Sequence, residues 1–384
     1  MIEISLAAAP AAASLPPWWR VVSMSAYFAA LSVVIGGGLA YLLVVRPVLR
    51  DDVADVVRAR CARFLAWCGP VLIVAAYLQL AARVARTVSG VSFGQALAPW
   101  RIWSFLTAPA EPGAWVSTGV LVLIQNALLL LAALALLSLF ARQRLTAISA
   151  SAVALATAAS LVLSVPGKLA GLTVDKQLDT WLTQAHIVAA AAWLGGLVCL
   201  AALARSRPFG ADASLYWAPV WSRFSVLALV AVGVLVASGS WLAWRHVGSV
   251  DQLVSTSYGR FLLLKLLLVA ALVGTGAYNQ LVLLPRIARA HASGDLGRGF
   301  SLALRHFPAV VRGEAALGLS VLVIVPFLTG SARAQAGQPK SPPIDGGLLV
   351  LAAVLVAALG ASLYATYRVA LLRARQASAQ PAAA

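Results

Sequence analysis

Charge is scarce in this chain. Asp and Glu number 12 and Lys and Arg 29 among 384 residues, so 11% of the chain is charged while 61% is hydrophobic. That balance cannot cover a water-soluble surface, and a mean hydropathy of +0.90 excludes an ordinary globular domain. None of the 12 carboxylates falls in the middle of an apolar run. This argues against a carrier driven by protons through a midplane carboxylate. Cysteine is nearly absent: Cys61, Cys68 and Cys199 all lie in or beside apolar runs. They imply no disulfide framework. The sequence has no CxxC, CxxCH, HExxH or GxxxxGK[ST] pattern. Dithiol, covalent-haem, zinc-protease and P-loop ATPase chemistry therefore have no support, and the chain is read as not an enzyme.

The formal net charge is +17. The basic residues sit at the ends of apolar runs rather than on one face or arm, which suits membrane orientation and not nucleic-acid binding. The first twenty residues are rich in Ala and Pro, contain Glu3, and have no Lys or Arg before Arg20. A secretory signal needs a positive start, so residues 1–20 read as a flexible leader without a cleaved signal.

Nine apolar stretches are long enough to cross a bilayer: about 21–45, 64–84, 115–141, 146–165, 181–204, 222–244, 260–284, 314–331 and 347–370. Backbone groups in lipid must be satisfied internally, so all are expected to be helices. The fold class is an all-α, polytopic transmembrane helix bundle. Residues 21–167 form an N-terminal four-helix half and 168–331 a four-helix core. Residues 332–384 form a linker, a ninth span and a tail. Eighteen basic residues fall on one side of these spans and ten on the other, with Lys265 inside a span. The richer side is expected to be cytoplasmic, which puts the N-terminus outside and the C-terminus inside. Residues 86–114, with Phe93, Trp100, Trp103 and Phe105, read as a surface-lying segment.

One ionisable residue stands out. His186 lies about 7–8 Å below the external start of its span, where an ionisable group is costly and usually serves transport, ligation or a relay. A neutral imidazole bonded near the membrane surface is the plainer alternative. His246 follows the sixth span and Met24 opens the first, both at the external level. Imidazole and thioether suit Cu(I) or Cu(II). An ordinary loop histidine and a packing methionine are the alternatives. Lys265 is either a snorkelling ammonium or a buried one paired with Asp179 or Asp251. Trp193, Trp241, Trp244 and Tyr258 surround this level, the tryptophans as a cation cage or as helix anchors. The three cysteines lie toward the opposite face, as an inner thiolate site or as small buried hydrophobes. Ala191 with Gly195 and Ala192 with Gly196 are small-xxx-small pairs for close helix approach. Gly36-Gly37-Gly38 and Gly274 with Gly276 either do the same or permit bending. Gln125 and Asn126 are expected to hydrogen-bond between helices.

Three segments resemble the copper resistance protein D (CopD) family of bacterial inner-membrane proteins. The first is His186 followed by Trp193-Leu194-Gly195-Gly196-Leu197. The second is Arg223-Phe224-Ser225 with Ala228, Val232 and Ser238-Gly239. The third runs from Tyr258-Gly259-Arg260-Phe261 to Lys265, then Asn279 and Pro285. Glu314 and Leu317-Gly318-Leu319 resemble the family's next span. Together they cover about residues 181–331. The resemblance implies a multi-pass protein of the cell membrane that handles copper, associated with import or tolerance, with His186 carried over first as an external ligand. An external copper chaperone is an expected partner class. The chain departs from the family where a Gly-His-Ala element is usual: residues 166–171 hold no histidine. It also lacks methionine-rich external motifs and adds a ninth span.

Three functional readings remain open from sequence. The first is ATP-independent copper transport through the bundle. The second is a haem b redox protein with His186 and His246 as axial ligands, since His291 and His306 fall in a cytoplasmic loop. The third is a metal-free assembly or scaffold subunit.

Overall fold

The computed structural model describes residues 15–49, 51–142, 144–168, 173–205, 213–278, 307–339, 341 and 346–379. Residues 1–14 of the expected leader, and His291, His306, Asn279 and Pro285, lie outside the described residues. No strand occurs among the described residues. The helices are α1 Trp18–Leu39, α2 Asp51–Thr87, α3 Phe93–Ala96, α4 Pro99–Leu106, α5 Thr118–Leu137, α6 Leu145–Val162 and α7 Val174–Arg205. They continue as α8 Ala213–His246, α9 Gln252–Ser255, α10 Ser257–Tyr278, α11 Phe307–Ile324, α12 Ala332–Gln335 and α13 Gly346–Ala379.

Among the described residues, 7 helical segments are long and apolar enough to cross a membrane: Trp18–Val48, Ala54–Thr87, Thr118–Phe140, Leu145–Val162, Val174–Arg205, Pro219–His246 and Ser257–Tyr278. They coincide with the first seven apolar stretches of the sequence. The eighth and ninth stretches fall on α11 and α13, and the apolar part of α13 is Val350–Ser362.

Helices α1 and α7 form the central pair. Helices α2, α5 and α6 pack on one side, and α8 and α11 on the other, with α10 lying against α11. Lipid gives helices no hydrophobic reason to associate, so close backbone approach through small residues has to supply the packing. The glycines do this. A Cβ on Gly195 would run into the Ser32 carbonyl, and one on Gly36 would strike Ala191 O. On its other side α7 meets α8, where a Cβ on Gly196 would lie 2.7 Å from the Phe224 ring. Gly69 on α2 admits the backbone of α5, 2.7 Å from Ala133 O. No described atom lies within 4 Å of a Cβ on Gly274 or Gly276, so those two do not serve close packing among the described residues.

Helix ends follow local chemistry. After Leu39 the first span continues as a π turn, Ala40–Val45, and a 3-10 turn, Arg46–Val48, and stops just beyond Pro47. Proline lacks the N–H that a longer helix would need. Helix α2 begins well before its apolar run because Asp55, Arg58 and Arg60 extend it while exposed. The 86–114 segment folds as two short helices over the end of α1. Ser92 and Gln95 form a capping box, and the Trp19 and Phe93 rings stack at 5.1 Å. Ile102 and Leu106 face inward while Trp100 and Trp103 are exposed, an amphipathic division suited to a membrane surface.

Candidate functional site

His186 sits on the face of α7 turned to α8. Its Nδ1 lies 3.0 Å from the Ser238 hydroxyl oxygen, and the ring packs on Gly239, where a Cβ would stand 3.5 Å from Cε1. Ser238 is buried, and its own proton goes to the Val234 carbonyl at 2.5 Å. The hydroxyl oxygen therefore accepts from His186, and Nδ1 is the protonated nitrogen. Nε2 is left with its lone pair, the state in which imidazole binds a metal.

Two turns nearer the start of α7 lies a second polar contact with α8. Asp179 accepts from Trp241 Nε1 at 3.1 Å and pairs with Arg245 at 3.6 Å. Arg245 also donates to Ser341 at 2.7 Å. Asp179 and His186 are seven residues apart, so they share one helix face. Lys265 on α10 lies within electrostatic reach of His186. Asp179 is already engaged with Arg245, and among the described residues Lys265 makes no ion pair. Of the two alternatives for Lys265, pairing with Asp179 or Asp251 is therefore not seen among the described residues.

His246 is placed differently. Its Nδ1 donates to the Leu242 carbonyl at 2.8 Å, and its ring stacks on Tyr258 with centroids 5.8 Å apart. It too presents Nε2. Gly239, under the His186 ring, and His246 are seven residues apart on α8, about 10 Å along the axis. Met24 is on the other side of α7, lining a cavity together with Gln184 and Ile187. The structure thus brings His186 and Ser238 together, with Lys265 acting on the imidazole only through its charge, and gives His246 and Met24 other neighbours. Trp241 and Trp244 rings approach to 5.2 Å, with Trp241 buried and bonded to Asp179. Trp193 is buried in the main core, two turns beyond His186.

Among the described residues no group of three or more His, Cys, Asp or Glu side chains is gathered for a metal ion. Cys61, Cys68 and Cys199 are all free and buried. Cys68 donates to the Phe64 carbonyl at 3.2 Å. Gln125 donates to the Tyr27 hydroxyl at 3.3 Å, the interhelical bond expected of it. Asn126 instead donates within its own helix, to Val122 O at 2.8 Å. Sequence reasoning missed Asp179 as the partner of Trp241 and Ser238 as the partner of His186. The signal available was a buried serine four residues after Val234 in an otherwise apolar span.

Residues 218–328 match the family model of copper resistance protein D. The match takes in Ser238, Trp241, His246, Tyr258 and Lys265 and leaves His186 outside. A relative, the copper transport protein CutJ of Bacillus subtilis (strain 168), is 28% identical over 160 residues. That similarity covers 42% of this chain and 26% of the relative, so the chain corresponds to about a quarter of that protein's length. No solved structure is matched. The chain is a multi-pass membrane protein in which one segment is similar to copper resistance protein D.

Proposed function

We propose that this membrane protein passes copper across the cell membrane without ATP, as a conduit rather than a catalyst, and thereby serves copper uptake and tolerance. The observation that carries the reading is the His186 imidazole, fixed by Ser238 so that Nε2 is the open nitrogen at a helix–helix contact. A half-buried ring held in one tautomer by a hydrogen bond to its other nitrogen is how metal-binding histidines are oriented. The membrane family match and the copper-transport relative support copper as the substrate. His246, whose Nε2 is also open, would serve as a separate station rather than a second ligand on the same ion. Met24 lines a cavity beyond α7 and is not part of this path.

Lys265 fits such a path. A fixed ammonium near the ligand opposes a resident cation, and conduction needs binding weak enough to release. In this reading the chain spans nine times, with the outer face at the His186 level and the C-terminus in the cytoplasm. That orientation rests on the excess of Lys and Arg assigned to the opposite face. Copper arrives from an external carrier and leaves on the cytoplasmic side.

The test is cellular copper in cells expressing wild type or His186→Ala. Wild type should raise accumulation and the variant should not. Equal accumulation and equal copper sensitivity would overturn the proposal.

A further inference from the structure

At the end of the bundle where α1, α5 and α7 begin, a cavity of about 260 Å³ opens between α1, α2, α5, α6 and α7. It holds far more than one water, whose share of liquid volume is about 30 Å³. Gln184 and Ile187 line it from α7, whereas His186 faces α8, so the cavity is separate from the copper locality. Most of its lining is apolar, and the charge it does carry is of one sign. Half-buried Arg83 and exposed Arg86 both line it; Arg86 gives its Nε–H to the Ala82 carbonyl at 3.1 Å and lies within electrostatic reach of Arg83 and Arg20. No acidic side chain is part of the lining. Among the described residues neither Arg83 nor Arg86 pairs with a carboxylate.

The lining also holds Tyr27 and Gln184. The Tyr27 hydroxyl accepts from Gln125, which leaves its own proton to give. Gln184 is nine-tenths buried. Its Nε2 donates to Ser164 at 2.6 Å, and its Oε1 is buried with no partner among the described residues. A serine hydroxyl can donate as readily as accept, so turning the amide keeps that bond and offers N–H to the cavity instead. Either way one buried hydrogen-bonding group awaits a partner, and an unmet buried group costs about 1–3 kcal/mol.

Two guanidinium groups without a carboxylate, in a lining that also holds Tyr27 and Gln184, repel a bare metal ion. They suit an oxyanion, which arginine recognises by charge and by paired N–H donors. We infer that this cavity binds a small oxyanion group of the phosphate type at Arg83 and Arg86, with Tyr27 and Gln184 bonding its oxygens. The group belongs either to a soluble anion or to an anionic lipid headgroup. The inference is independent of the copper reading.

The experiment uses the full chain, purified in detergent and stripped of lipid. Its thermal midpoint is measured against inorganic phosphate at constant ionic strength, then against phosphatidylglycerol with phosphatidylcholine as control. A saturable phosphate shift, weakened about tenfold or more in Arg83→Gln and retained in Arg83→Lys, supports the site with a soluble ligand. A shift with phosphatidylglycerol alone, lost in Arg83→Gln, supports it with a lipid ligand. No saturable shift with either, or equal shifts in wild type and Arg83→Gln, overturns it. Should Arg83→Gln not fold, Gln184→Leu carries the same comparison: weakened binding supports the site and unchanged binding overturns it.

Discussion

His186 and Ser238, 52 residues apart in sequence, meet at 3.0 Å across the α7–α8 contact. The serine spends its proton on Val234, so it fixes which imidazole nitrogen is open. Ser238 is therefore a positioning residue for the proposed copper ligand. Ser238→Ala should lower Cu(I) affinity by about tenfold to a hundredfold, the range for losing the hydrogen-bond partner of a ligand histidine, with the fold intact. Competition against a coloured Cu(I) chelator reads the affinity. His186→Gln in the same assay should lose the Ser238-dependent component altogether. If Ser238→Ala binds as wild type does, the serine does not orient a ligand.

Lys265 gives a test of opposite sign. Two unit charges near each other at an effective dielectric of about 20 repel by on the order of a few kcal/mol. Removing the ammonium should therefore tighten copper binding at His186 while slowing its passage. Lys265→Gln is expected to bind copper about tenfold more tightly and to accumulate less of it in cells. Affinity from chelator competition and uptake from cellular metal content must move apart. If both fall together, Lys265 has a structural role only.

The glycine contacts predict stability. Gly195→Ala pushes a methyl into the Ser32 carbonyl, where backbone cannot yield cheaply. It should cost about 1–3 kcal/mol or more, seen as a lower thermal midpoint in detergent. Gly274→Ala meets no described atom within 4 Å and should cost nothing, or gain a few tenths of a kcal/mol from helix propensity. Equal effects at the two positions would mean that α1 and α7 are not held by this crossing.

What the sequence made legible was the set of apolar runs, because span length and hydropathy are local properties. The first seven stretches appear as membrane-length helices, and Gly36 and Gly195 meet as small-residue spacing suggests. Helix ends were less legible. Helix α2 starts at Asp51 rather than near residue 64, since hydropathy marks the lipid-facing run and not the exposed turns beyond it. Side-chain partnerships were hardly legible. Asn126 bonds Val122 within its own helix, while Gln125, one position away, reaches Tyr27 on α1. A rotation of 100° per residue decides which, and only the packed bundle fixes that angle. Likewise Asp179, Arg83 and Arg86 read as loop-end charges until neighbouring helices give them partners or a cavity.

The haem alternative is tested by one spectrum. An iron held by two histidines needs both Nε2 atoms converging on it. Here His186 is tied to Ser238, and His246 is tied to Leu242 and stacked on Tyr258, with their α8 levels about 10 Å apart. The purified protein should show no Soret band. A Soret band lost in either histidine variant would instead establish the redox reading.

The contact between Asp179, Trp241 and Arg245 separates hydrogen bonding from charge at the α7–α8 junction. Asp179 accepts from the indole at 3.1 Å and attracts the guanidinium at 3.6 Å. Its side chain is 36% exposed, so solvent screens the ion pair and leaves it worth well under 1 kcal/mol. The indole is buried, and losing its acceptor costs more, about 1–3 kcal/mol. Asp179→Asn keeps an acceptor oxygen and should leave the thermal midpoint near that of wild type. Asp179→Ala removes the acceptor and should lower it clearly. Arg245 keeps Ser341 as a second partner, so Arg245→Gln should resemble Asp179→Asn rather than Asp179→Ala. If Asp179→Asn is as damaging as Asp179→Ala, charge rather than the indole bond holds this junction, and raising the salt concentration should then destabilise the wild type by a similar amount.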